Sequence, residues 1–97
     1  MAFQNESQTK TKIFIPKIYR VILLNDDVTT MDFVVMILME IFEKTRDEAI
    51  NIMLHIHKNG SGICGSYIKE IAETKKDEVK MLAKKANFPL VCEIEEE

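Results

Sequence analysis

Three threonines in this chain each stand three residues before a carboxylate: Thr29 before Asp32, Thr45 before Glu48 and Thr74 before Asp77. Thr-x-x-Asp/Glu is the pattern of a capping box, in which the hydroxyl accepts one free amide of a helix start and the acid reaches back to another. Asp has a shorter reach than Glu, so Thr45 carries the cleanest of the three signals. Three starts predict three helices, and they fix where the remaining apolar runs must be strands.

Ile18 to Leu24 (IYRVILL) is rich in β-branched and apolar residues and predicts a strand, with Pro16 suiting its entrance. Met31 to Phe42 is apolar nearly all round, which predicts a central, largely buried helix capped by Thr29. The second helix runs from Thr45 through about His57. Ala49, Met53 and Ile56 share one stripe, with Ile50, Leu54 and His57 beside it. Asn59-Gly60 ends that helix, glycine being free to turn left-handed.

Ser61 to Ile68 predicts a strand in which Gly62 and Gly65 mark a bulge or a close backbone approach. Lys69 to Glu73 fits strand or helix. After Thr74, the period of Val79, Leu82, Ala83 and Ala86 predicts a third helix, stopped by Asn87 and Pro89. Leu90 to Ile94 reads as a last strand, and the acidic run Glu93 to Glu97 as its frayed, solvated end. The order β-α-α-β-α-β implies an α+β domain, a small mixed three-stranded sheet packed against three helices.

Ninety-seven residues make one domain, with residues 1–16 expected as a flexible tail and 17–97 as the folded unit. The net charge of -3 speaks against a nucleic-acid partner, which wants a basic face. Cys64 and Cys92 form no CxxC pair and read as reduced core thiols. The first residues lack the apolar core of a signal peptide, and the longest apolar run, Phe33 to Met39, is too short to span a bilayer. The expectation is a cytoplasmic monomer with no membrane contact.

The polar letters Asn25, Asp26 and Asp27 interrupt the chain between the first strand and the first helix. A metal could draw on Asp26 and Asp27 with His55 or His57. The two histidines, however, lie two apart on a helix and so about 200° around it, and cannot share one ion. No metal and no cofactor is expected. An Asp–His pair is also a fragment of acid–base machinery, yet no Ser or Cys has a nucleophile's setting and no Gly-rich phosphate loop is present. A third reading is recognition. Asn25 and Asp26 offer oxygens and a neutral His57 offers one nitrogen lone pair, a set of acceptors suited to an ammonium. Against these stands the plainest reading, a turn in which Asn and Asp bond their own backbone. Likewise the methionines Met31, Met36, Met39 and Met53 serve equally as filler in an irregular core. The residues by themselves leave recognition and turn both open.

Three segments resemble one family. VILLNDDVTTMDFV, IMLHIHKNGSGICG and IAETK, in this order and spacing, are similar to the signature segments of ClpS, the bacterial adaptor that hands N-degron substrates to the Clp protease. The likeness runs from about Lys17 to Glu95. It implies a non-catalytic domain that binds proteins beginning with Leu, Phe, Tyr or Trp and docks on the N-terminal domain of the AAA+ unfoldase ClpA. Carried over by motif position, Asn25, Asp26 and His57 would receive the substrate α-ammonium. Thr29, Met31, Val34, Met53, Ile56 and Leu90 would line the side-chain pocket, with Met31 as a gate against β-branched residues. Glu70 and Lys75 match the unfoldase-docking region, and the N-terminal tail would engage the unfoldase pore. The chain departs from the family pattern at Val28, where an aromatic is common, and at Thr30, where Pro is common. The first bears on the substrate's second residue. The second removes a stiff helix start and leaves capping to Thr29.

Overall fold

β1, Ile18–Leu24, is the middle strand of a three-stranded sheet ordered β2-β1-β3, in a computed structural model that describes residues 13–97. Val21 and Leu23 on one face of β1 are wholly buried, as the alternation of a half-covered strand requires. α1 (Met31–Glu40) and α2 (Arg46–Asn59) follow and pack on each other, then come β2 (Ser61–Ile68), α3 (Lys69–Lys85) and β3 (Val91–Glu96). Residues 1–12 of the expected tail lie outside the described residues, while Ile13, Phe14 and Ile15 are about four-fifths exposed.

The sheet is antiparallel throughout, not mixed. Two helices in succession return the chain to the end of β1 it left, so β2 must run back along it. The single helix α3 then carries the chain across to β3, which runs with β2 but is separated from it by β1. β2 carries the expected irregularity. Val21 pairs with Gly65 and Ile22 with Ile63, leaving Cys64 as the extra residue of a bulge.

Of the three predicted caps, one stands as read. Thr45 accepts from Glu48 N–H at 3.2 Å and its own N–H donates to Glu48 Oε1 at 2.9 Å, a complete capping box. The cap of α1 moves one residue on, to Thr30, whose hydroxyl accepts the Phe33 N–H at 3.2 Å. Thr29 is taken up by Asp26 instead. The Thr74 signal is no start at all. Ala72, Val79 and Ala83 lie on one buried stripe, so α3 begins at Lys69 straight out of β2 and without a side-chain cap. Thr74 sits inside it and donates its hydroxyl to the Glu70 carbonyl at 3.0 Å.

Helix ends follow local chemistry. Gly60 closes α2 at φ +93°, with its N–H on the Ile56 carbonyl. Asn87, at φ +62°, ends α3 in a Schellman arrangement, with Phe88 N–H on Ala83 and Asn87 N–H on Lys84. α1 is shorter and more one-sided than its composition implied. It buries Val34, Ile37 and Leu38, leaves Met31 exposed, and stops at Glu40. Ile41 and Phe42 then turn into the core. α1 has no basic residue in its last turn, and Lys75 from α3 fills that place, donating to the Ile41 carbonyl at 2.7 Å.

Candidate functional site

The loop from Asn25 to Thr30 leaves β1 and is tied at once to the far side of the fold. Asn25 N–H donates to the Gly60 carbonyl at 2.9 Å, which joins the loop to the C-terminal end of α2. Asp26 then holds the loop in a tight turn. Its Oδ1 accepts Val28 N–H at 2.8 Å and Thr29 N–H at 2.6 Å, and its Oδ2 accepts the Thr29 hydroxyl at 2.7 Å. Partial burial pushes the Asp26 carboxyl up, but the N–H and hydroxyl of Thr29 and the N–H of Val28 together outweigh it and hold the acid below its ordinary value. A carboxylate has about four lone-pair sites, and three are filled here, so Oδ2 retains one acceptor position.

Between this loop, the start of α1 and the last turns of α2 lies a cleft of about 360 Å³. Its polar side presents Asn25, Asp26, Thr29 and His57, and its apolar side Met31, Val34, Met53 and Ile56. Met53, Ile56 and His57 reach it together because residues three and four apart share a helix face. Met31 is 44% exposed and stands at the mouth, whereas Val34 and Ile56 are buried in the wall. The cleft is of a size that takes one bulky side chain with its attached amine.

Leu90 is buried next to the cleft. With Asn25, Asp26, Thr29, Val34 and Ile56, all of which also line the cleft, it lines a small adjoining space of about 10 Å³. Three residues absent from the expected pocket, Asp27, Val28 and Thr30, also line the cleft. The signal for them was the Asp26-x-Val28-Thr29 spacing, which lets one carboxylate bind two following amides and so wraps the whole loop around one rim.

The two histidines face apart as their spacing demands. His55 bonds Asn59 through Nδ1 at 3.1 Å and lines a second cleft of about 530 Å³ with Ile22, Ile52, Ile63 and Glu95. That cleft is larger but holds none of the acceptor residues. Among the described residues no three His, Cys, Asp or Glu side chains gather as a metal site would need. Burial pushes the Cys64 thiol up to about 12 and Cys92 up to about 11, so neither supplies a thiolate nucleophile. Glu70 and Lys75 lie away from the cleft on α3. Glu70 is exposed, while Lys75 is half-buried, bonded to Ile41 and 5.8 Å from the centre of the Tyr67 ring.

Comparison with known proteins bears on this arrangement. Residues 15–93 match the family described as ATP-dependent Clp protease adaptor protein ClpS. An ATP-dependent Clp protease adapter protein ClpS of Campylobacter jejuni strain RM1221 is 55% identical over 94 residues, covering 97% of this chain and 98% of that protein. The ClpS of Lawsonia intracellularis is 53% identical over 85 residues, 88% of this chain and 78% of its own. Among solved structures, Agrobacterium tumefaciens ClpS2 bound to L-phenylalaninamide superposes with a TM-score of 0.83 at 40% identity, over 86% of this chain and all of that one. Among the described residues no helix is long and apolar enough to cross a membrane.

Proposed function

Since the chain belongs to the ClpS family of Clp protease adaptors, which are not enzymes, we propose that its cleft reads the first residue of proteins destined for that protease. The observation that carries this is the pairing, in one cleft, of three acceptors with an apolar wall. Asn25, the open position on Asp26 Oδ2 and a neutral His57 supply one acceptor for each N–H of an α-ammonium. Met31, Val34, Met53 and Ile56 then receive a bulky side chain such as that of Leu, Phe, Tyr or Trp.

Only a chain end has a free α-ammonium. Acetylation removes its charge and two donors, which strands the acceptors, and that mismatch discriminates more strongly than the matched contacts attract. L-phenylalaninamide, the ligand of the Agrobacterium relative, has this chemistry: a free amine beside an aromatic side chain. Burying the side chain contributes roughly 1.5–3 kcal/mol. With charge-assisted hydrogen bonds and association costs, the net is about -8 kcal/mol, or roughly micromolar.

In this reading the substrate passes to the N-terminal domain of the ClpA unfoldase. That domain docks on the α3 face carrying Glu70 and Lys75, and the N-terminal tail enters the unfoldase pore. The deciding experiment titrates the protein with a fluorescent peptide beginning with Leu and with the same peptide N-acetylated. Binding of the free form alone is expected. Equal binding of both would make the cleft a docking surface with no preference for chain ends.

A further inference from the structure

A groove of about 440 Å³ runs between α1 and α2, lined by Val35, Met36, Met39, Ile50 and Met53. It adjoins the cleft: Met53 lines both, and Met31 of the cleft and Asp32 of the groove are neighbours at the start of α1. We propose that this groove is a second contact surface for the substrate itself, receiving apolar residues at about its fourth to sixth positions. The inference rests on the cleft reading given above and extends it.

Three features support this occupant. The first is length. Met53 and Arg46 bound the groove along α2, seven residues or about 10 Å apart at 1.5 Å per residue. An extended chain rising about 3.3 Å per residue lays three residues in that length, after residues two and three have crossed the Met31–Asp32 rim. The second is side-chain type. Met36, Met39 and Met53 pack against the core but are only partly buried, and their unbranched, flexible side chains can conform to differing sequences with the surface they keep. A surface that must accept many substrates needs that adaptability. The third is charge. Asp32 and Glu40 stand against the single cation Arg46, so the groove favours a neutral or basic stretch over an acidic one.

The test compares two peptides on the full chain. Both begin Leu-Ala-Ala, and one continues Leu-Val-Leu while the other continues Gly-Gly-Gly. The apolar continuation is expected to bind roughly fivefold more tightly, the gain from half-burying one or two aliphatic side chains. Met36→Gln and Met39→Gln should each reduce that gain, while affinity for L-phenylalaninamide, which ends before the groove, stays unchanged and reports an intact cleft. Equal affinities of the two peptides for the unaltered protein would overturn the proposal without any variant having to fold. So would a gain that survives both substitutions, since the apolar residues would then be bound elsewhere. If L-phenylalaninamide itself fails to bind the unaltered protein, the cleft reading fails and this one falls with it.

Discussion

Lys75 and Ile41 are joined across 34 residues by one hydrogen bond, from the ammonium of α3 to the main-chain carbonyl that ends α1, at 2.7 Å. The bond places a cation on a helix C-terminus that has no basic residue of its own. It gives Lys75 a role inside the domain, separate from any role at a docking face. Lys75→Met should therefore destabilise the protein by about 1–2 kcal/mol, read by urea denaturation, whereas Glu70→Gln, which removes only an exposed charge in the first turn of α3, should cost less, about 0.3–1 kcal/mol. Equal stability of the two variants would free Lys75 for docking alone.

Asp26 and Thr29 form the matching relationship at the cleft. Thr29→Val keeps the backbone amide but removes the hydroxyl from Asp26 Oδ2. The carboxylate then loses one of the bonds that aim it, and affinity for a Leu-initiated peptide should fall roughly fivefold with little loss of fold. Thr29→Ser should restore it. A Ser variant as weak as Val would show that the methyl group, not the hydroxyl, matters.

The pH dependence of the loop has a definite sign. Asp26 is held below its ordinary value of 3.8 by the bonds of Thr29 and Val28. A carboxyl depressed in the folded state stabilises the fold fully above its unfolded value, and that stabilisation is lost as pH falls through the folded value. The stability difference between the unaltered protein and Asp26→Asn should thus be constant from pH ~7 to ~5 and shrink only as pH drops through and below the ordinary Asp range. Denaturation curves across that series check it, and a difference that shrinks above pH ~5 would contradict the bonded carboxylate.

Met31 is nearly half exposed at the cleft mouth, so shortening it removes a barrier and little core. Met31→Ala should admit peptides beginning with Ile or Val while retaining Leu and Phe, as read by competition binding. Continued rejection of both β-branched residues would place the gate at another wall residue, Met53 or Val34.

Gly62 has no room for a side chain. A methyl group there would meet Ile56 Cγ1 at 2.7 Å and His55 Cδ2 at 3.3 Å. Ile56 is buried and lines the cleft. Gly62→Ala should cost roughly 1–3 kcal/mol of stability and also weaken peptide binding by displacing Ile56. Normal affinity in a destabilised variant would show that the strain relaxes away from the cleft.

Much of this was legible in the letters because local signals agreed with the fold. Ile18–Leu24 became β1 as read, Thr45 and Gly60 bounded α2, and Asn87 ended α3. The failures share a cause. Thr29 and Thr74 both have the form of a cap, but a threonine's partner is chosen by what else competes for it. Asp26 claimed the first, and a stripe beginning at Ala72 carried the helix past the second. Strand direction was likewise hidden, since it depends on the number of helices between strands and where each one ends. At the site, the motif letters converged on one cleft, yet Asp27, Val28 and Thr30 also line it and were not among the pocket residues expected. Nothing in a local pattern separates a loop residue that only turns the chain from one that also lines a surface.

The bond from Asn25 N–H to the Gly60 carbonyl has one more implication. It fastens the two halves of the cleft, about 35 residues apart in the chain, through main chain alone. Apart from Gly60, whose left-handed φ disfavours a side chain although there is open space for one, the fastening is indifferent to which side chains hang nearby. The walls can therefore be exchanged without redrawing the frame. Substitution at Met31 or Met53, which are not core residues, has a fixed mould to work within, and under the proposed function a change of preferred terminal residue becomes a matter of refitting one side of a socket.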